Sequence, residues 1–143
     1  MNLICKLNRE IYRVVTEDIA CDEVIITEKQ IEHIKERHPD DYELFAKYFE
    51  EIINTPDYVL EGNTPQTVLL LKKIEAEGRP FKLVLRFKHK KEPAEYKNSI
   101  ITFTRTDFKE FARIVKKKKI IYDSLRWKNS SDPHADGNDK AQA

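Results

Sequence analysis

The chain has 143 residues, of which 40% are hydrophobic and 36% charged, with a net charge of +1. That length suits one domain whose core needs no disulfide or metal staples, and the composition excludes a disordered chain. No apolar run approaches the roughly 18 residues of a membrane span, the first ten residues lack the apolar stretch of a signal peptide, and Cys5 and Cys21 form neither a disulfide framework nor a CxxC pair, so the expectation is a cytoplasmic protein with reduced thiols.

The predicted elements begin with Ile11–Thr16 (IYRVVT), β-branched and short, an expected edge strand. Glu23–Ile26 is a second short apolar run. Thr27 can cap a helix, with Gln30 three residues on in capping-box spacing. That helix runs from Glu28 to about Arg37, because Pro39 disfavours helical geometry at His38. Pro39 is then expected at the first position of a second helix, along which Tyr42, Phe45, Phe49, Ile52 and Ile53 form an apolar stripe. Asn54-Thr55-Pro56-Asp57 breaks it.

From there the period changes to two. Tyr58–Leu60, Thr67–Ile74, Phe81–Lys88 and Ser99–Arg105 read as strands, separated by a Gly62–Pro65 turn, a Glu75–Pro80 loop and a charged His89–Lys97 loop. In the third, Phe81, Leu83, Leu85 and Phe87 face one way and Lys82, Val84, Arg86 and Lys88 the other. In the fourth, Ile101 and Phe103 are expected on the core side, with Ile100, Thr102 and Thr104 opposite. Asp107 can cap a last helix with Glu110 three residues on, and Phe108, Phe111, Ala112 and Val115 are its expected apolar face. Ile120–Tyr122 is a final strand or the end of that helix. Residues 124–143 are expected to be a disordered tail behind a single domain, 1–123. Helices followed by consecutive strands predict an α+β fold, with N-terminal helices on one side of an antiparallel, roughly four-stranded sheet. Its open face would carry Lys82, Arg86, Lys88, Thr102 and Thr104, cations and hydroxyls suited to a phosphate backbone; an ordinary solvated face carries the same residues.

Charge is distributed unevenly. Residues 1–71 hold 7 Lys/Arg against 15 Asp/Glu, residues 72–128 hold 18 against 7, and residues 129–143 hold 1 against 3. An acidic half joined to a basic half suggests a surface for a polyanion; the alternative is that the halves neutralise each other by packing.

The segment IEHIKERHP (31–39) is the most informative. On a helix, His33 shares a face with Lys29, Gln30 and Arg37. His38 follows Ile34 by four and Ile31 by seven, on the apolar stripe, so the two imidazoles are not expected to converge from one straight helix. As ordinary structure, His38 is a C-terminal cation favoured by the helix dipole and His33 a surface residue. Metal binding is not expected: HExxH is absent, the two histidines do not share a face, and no Cys/His cluster occurs. No nucleophile-elbow pattern supports a serine or cysteine triad.

The order TEKQIEHIKERHP, an acidic aromatic helix ending NTPDYVL, then FKLVLRF and NSIITFTRTDF resembles the phage-associated barnase–EndoU–colicin E5/D–RelE-like nucleases, over about Ile25 to Phe108. The resemblance implies helices packed on a four-stranded antiparallel sheet. It also implies RNA cleavage without metal or other cofactor, by a histidine of the helical part with basic and hydroxyl groups of the sheet. Carried onto this chain, the catalytic candidates are His33 and His38, a cation from Lys82 or Arg86, and Thr102 or Thr104. Arg37, Lys82, Lys88 and Ser99 are candidate substrate-binding residues. RNA supplies its own nucleophile, the 2′-hydroxyl, and histidine suits acid or base work because its ordinary pKa is about 6.5. The expected partner is single-stranded RNA or tRNA. If the enzyme is toxic, an acidic inhibitor protein would cover the Lys/Arg face. The alternatives are a non-catalytic nucleic-acid-binding module, or degenerate nuclease, and a protein whose acidic half binds a basic partner.

Overall fold

The computed structural model describes residues 2–15 and 19–125. Residues 126–143 of the expected tail, with His134, lie outside the described residues, as does Thr16 of the expected first strand.

The strands are β1 (Asn2–Lys6), β2 (Glu23–Ile26), β3 (Tyr58–Glu61), β4 (Thr67–Ile74), β5 (Arg79–Arg86), β6 (Asn98–Arg105) and β7 (Ile120–Asp123). The helices are α1 (Arg9–Tyr12), α2 (Glu28–Arg37), α3 (Asp41–Phe45), α4 (Phe49–Asn54) and α5 (Phe108–Lys117). All seven strands join one sheet in the order β1-β2-β6-β5-β4-β3-β7. Neighbours are antiparallel except β2 and β6, which run parallel. The expected four-stranded antiparallel sheet is therefore its centre, β6-β5-β4-β3, and the sheet is larger and mixed. The edge strand β1 was hidden in the sequence because it is largely exposed and lacks clean alternation, whereas Ile120–Tyr122 takes the strand alternative as part of β7.

Local chemistry accounts for most element boundaries. The Thr27 hydroxyl accepts from the Gln30 amide and the Asp107 carboxylate from the Glu110 amide, so both expected caps form. Ile11–Val15, the described part of the expected first strand, is not a strand. Asn8 caps α1 by accepting from the Glu10 amide, and Tyr12 is fully buried, packed on Phe87, its hydroxyl donating to the Ile53 carbonyl. That anchorage outweighs the β preference of IYRVV. Nor does Pro39 begin a helix. Asp40 takes a left-handed conformation, φ 74°, and the helix starts after it, at Asp41. The stripe from Tyr42 to Ile53 is then divided between α3, a 3₁₀ turn at Ala46–Tyr48, and α4. In the β4–β5 hairpin, Gly78 at φ 65° supplies the left-handed turn residue.

Alternation along the strands divides the core in two. On one side, Leu70, Leu83, Leu85, Ile100 and Phe103 pack with Ile31, Ile34, Phe45, Phe49, Ile52 and Ile53 of α2–α4. On the other, Leu60, Leu69 and Leu71 pack with Phe111 and Ile114 of α5. The helices thus do not all lie on one side: α5 covers part of the face expected to be open. Phe108 and Ala112 are exposed, and Ile114 takes the core position instead. A bulge between Val84 and Leu85 sets Val84 opposite Thr102 and Leu85 opposite Ile100. Ile100 therefore turns into the core and Ile101 away from it, the reverse of the simple alternation.

β2 pairs with β6 only through Val24–Asn98 and Ile25–Ser99. Beyond that point α2 and α3 pack along β6, and the buried Asp41 carboxylate accepts from the Arg105 amide at 3.0 Å, satisfying a backbone donor there. Asn98 is also buried and stitches the start of β6, donating to the Cys21 and Glu23 carbonyls and accepting from the Lys88 amide. Among the described residues no helix is long and apolar enough to cross a membrane.

Candidate functional site

A cavity of about 620 Å³ opens between the C-terminal end of α2, the uncovered part of β4–β6, and α5. The chain leaves helical geometry at His38, φ −134° and ψ 74°, immediately before Pro39. Its ring is thereby released from the helical phase that would have placed it on the apolar stripe. His33 and His38 both line the cavity, although the two were expected on different faces of a straight helix. Arg37, one helical turn after His33, joins them. From the sheet come Lys82, Val84, Thr102 and Thr104; from α5 come Arg113 and Lys117. Among the described residues no Asp or Glu side chain lines this cavity.

The hydroxyls differ. Thr104 Oγ1 donates to Asp41 Oδ2 at 2.9 Å, so its single proton is committed inward. Arg105 Nε reaches Asp41 Oδ1 at 3.0 Å and its guanidinium lies over the Phe45 ring. Asp41 therefore ties the end of β6 to the turn that carries His38. Thr102 has no such partner among the described residues and keeps its proton for a ligand.

The cations differ too. Lys82 Nζ is 2.7 Å from Glu110 Oε1, which also accepts from Thr106 Oγ1 at 2.7 Å. Arg113 lies 3.7 Å from the second oxygen of Glu110. The Lys82 ammonium, then the Thr106 hydroxyl, hold the Glu110 carboxyl below its ordinary pKa. Arg37 and Lys117 make no ion pair among the described residues.

Three predicted residues fall outside. Arg86 pairs with Glu92, whose carboxyl that guanidinium, together with the His89 amide, lowers to about 2. Ser99 lies beside Ile25 and opposite Arg86. Lys88 lines a neighbouring cavity. The site thus brings together His33, Arg37, His38, Lys82, Thr102 and Thr104, without Arg86, Lys88 and Ser99. Arg113 and Lys117 went unpredicted, although their i,i+4 spacing was visible; what was missing was that α5 sits on this face. Among the described residues no group of three or more His, Cys, Asp or Glu side chains is placed to hold a metal ion.

Neither a curated protein nor a solved structure matches the chain. The family model described as phage-Barnase-EndoU-ColicinE5/D-RelE like nuclease2 matches residues 5–123, and the chain, with its α+β fold and its histidine- and cation-lined cavity, belongs to that nuclease family.

Proposed function

We propose that this protein is a metal-independent endoribonuclease that cleaves RNA by attack of the 2′-hydroxyl on the adjacent phosphorus. The observation that carries the reading is one cavity, free of carboxylates among the described residues, shared by His33, His38, Arg37, Arg113, Lys117 and Thr102. In-line cleavage needs a base for the 2′-hydroxyl proton, an acid for the leaving 5′-oxygen, and positive charge on the phosphate. His33 and His38 supply base and acid. The P–O2′ bond forms as the P–O5′ bond breaks, leaving a 2′,3′-cyclic phosphate and a 5′-hydroxyl. Arg37 and Arg113 can each present a planar fork to the phosphate oxygens, and Lys117 adds a point charge. Thr102 donates a hydrogen bond. Thr104 and Asp41 position the floor of the site rather than touch the phosphate, and the phosphate role expected of Arg86 passes to the arginines of the two helices.

The test is incubation of purified protein in excess EDTA with single-stranded RNA and with tRNA across pH 5–8. Cleavage with cyclic-phosphate ends is expected. Salt-dependent binding with uncut RNA would contradict the enzyme and leave a binding module.

A further inference from the structure

The cavity with the histidines continues in two directions, one lined by charges of both signs and the other, among the described residues, by cations. One path shares His38, Lys82 and Thr104 and leads to a surface of mixed charge, with Asp107 and Glu110 beside Arg79 and Arg105. The other passes Thr67, the first residue of β4, which lines both the histidine cavity and a second cavity of about 540 Å³ at the end of the sheet. Lys88, His89, Lys90 and Lys91 line that second cavity above an apolar floor that includes Phe87, and among the described residues no carboxylate lines it.

The loop bearing these cations is built, not loose. Its one inward carboxylate, Glu92, accepts from the Arg86 guanidinium, from the His89 amide at 2.7 Å and from Gln66 Nε2 at 3.4 Å. Gln66 also binds the Phe87 carbonyl at 3.1 Å, and His89 Nδ1 accepts from the Lys91 amide at 3.1 Å. The Glu92 charge is thus consumed against β5, and Lys88 and Lys91 line the cavity. Arg86, displaced from the histidine site, is the residue that fixes this arrangement.

We propose that the cavity lined by Lys88, His89, Lys90 and Lys91 is a second phosphate subsite, taking the continuation of a single RNA strand whose scissile linkage lies at His33 and His38. The inference rests on the nuclease reading and adds a direction: the strand leaves past Thr67, away from Asp107 and Glu110. Arg86 and Glu92 are positioning residues for it.

The test uses fluorescein-labelled 2′-O-methyl oligoribonucleotides of two and ten nucleotides, which lack the nucleophile, with affinity read by anisotropy at 50 and 200 mM salt. The ten-mer is expected to bind more tightly than the dinucleotide. Lys88→Gln with Lys91→Gln should remove that gain. Two lost phosphate contacts reduce the salt slope by about 1.4, so the wild type should lose roughly sevenfold more ten-mer affinity than the variant over that fourfold salt change. Glu92→Gln, which loosens the loop while removing a negative charge, should also weaken the ten-mer, the opposite of what simple charge counting gives. A length gain equal in wild type and the lysine variant would overturn the subsite while leaving the nuclease reading intact. Failure of both probes to bind, with RNA also uncut, would overturn both.

Discussion

Replacing Asp41 gives the sharpest test of how the site is held. Its side chain is 3% exposed, accepts two hydrogen bonds, from Thr104 Oγ1 at 2.9 Å and the Arg105 amide at 3.0 Å, and forms an ion pair with Arg105 Nε at 3.0 Å. In Asp41→Ala the guanidinium, whose side chain is 40% exposed, recovers water and contributes little to the loss. The hydroxyl and the amide lose their acceptor in a half-buried seam, at about 1–2 kcal/mol each. The expected loss is about 3 kcal/mol, or roughly 10 °C in Tm for a domain of this size. Both of those donors end on Oδ2, so Asp41→Asn with its amide oxygen in that place keeps both acceptor contacts, loses only the Arg105 pairing, and should cost no more than about 1 kcal/mol. Urea and thermal unfolding followed by circular dichroism measure both. Because Asp41 also fixes the turn carrying His38, RNA cleavage should fall in the Ala variant at a temperature where it remains folded. An Asp41→Ala protein within about 0.5 kcal/mol of wild type, inside the range of ordinary surface changes, would refute the reasoning.

Two further predictions follow from ionisation. The lowered pKa of Glu110 means its ion pair with Lys82 stabilises the fold above the ordinary carboxylate range and ceases to as pH falls through the depressed value. Both side chains are about one-third exposed, 33% and 32%, so Glu110→Gln should cost no more than about 1 kcal/mol at pH 7, and its urea midpoint should converge on that of wild type at pH 3. A constant gap would contradict the pairing. Burial, and then Glu50, raise the Cys5 thiol to about 11, so in the native protein at pH 8 it should react with a disulfide reagent far more slowly than the half-buried Cys21. Equal rates would contradict that burial.

What the sequence disclosed was mostly local. The Thr27 and Asp107 caps involve residues three apart, and the alternation of β5 needs no knowledge of its neighbours. The inversion at Ile100 and Ile101 depends on a register shift against β5, which no single strand encodes. The helix α1 was concealed because burial of Tyr12 against Phe87 and Ile53 is a long-range contact. At the site, Pro39 announced the end of α2, but treating the helix as straight through His38 kept the two histidines apart. Arg113 and Lys117 needed the tertiary fact that α5 crosses the partly open face. Arg86 stands on the expected strand, yet a carboxylate only six residues away claims it.

The central claim is that His33 and His38 act on one RNA linkage. Its most direct test is the single-turnover rate, in EDTA, of wild type, His33→Ala, His38→Ala and the double variant on one end-labelled RNA, with product ends identified. The account predicts 2′,3′-cyclic phosphate ends, a loss of roughly 10²–10⁴-fold for each single variant, and a double variant far less impaired than the product of the two. Either single variant cutting at the wild-type rate would contradict it.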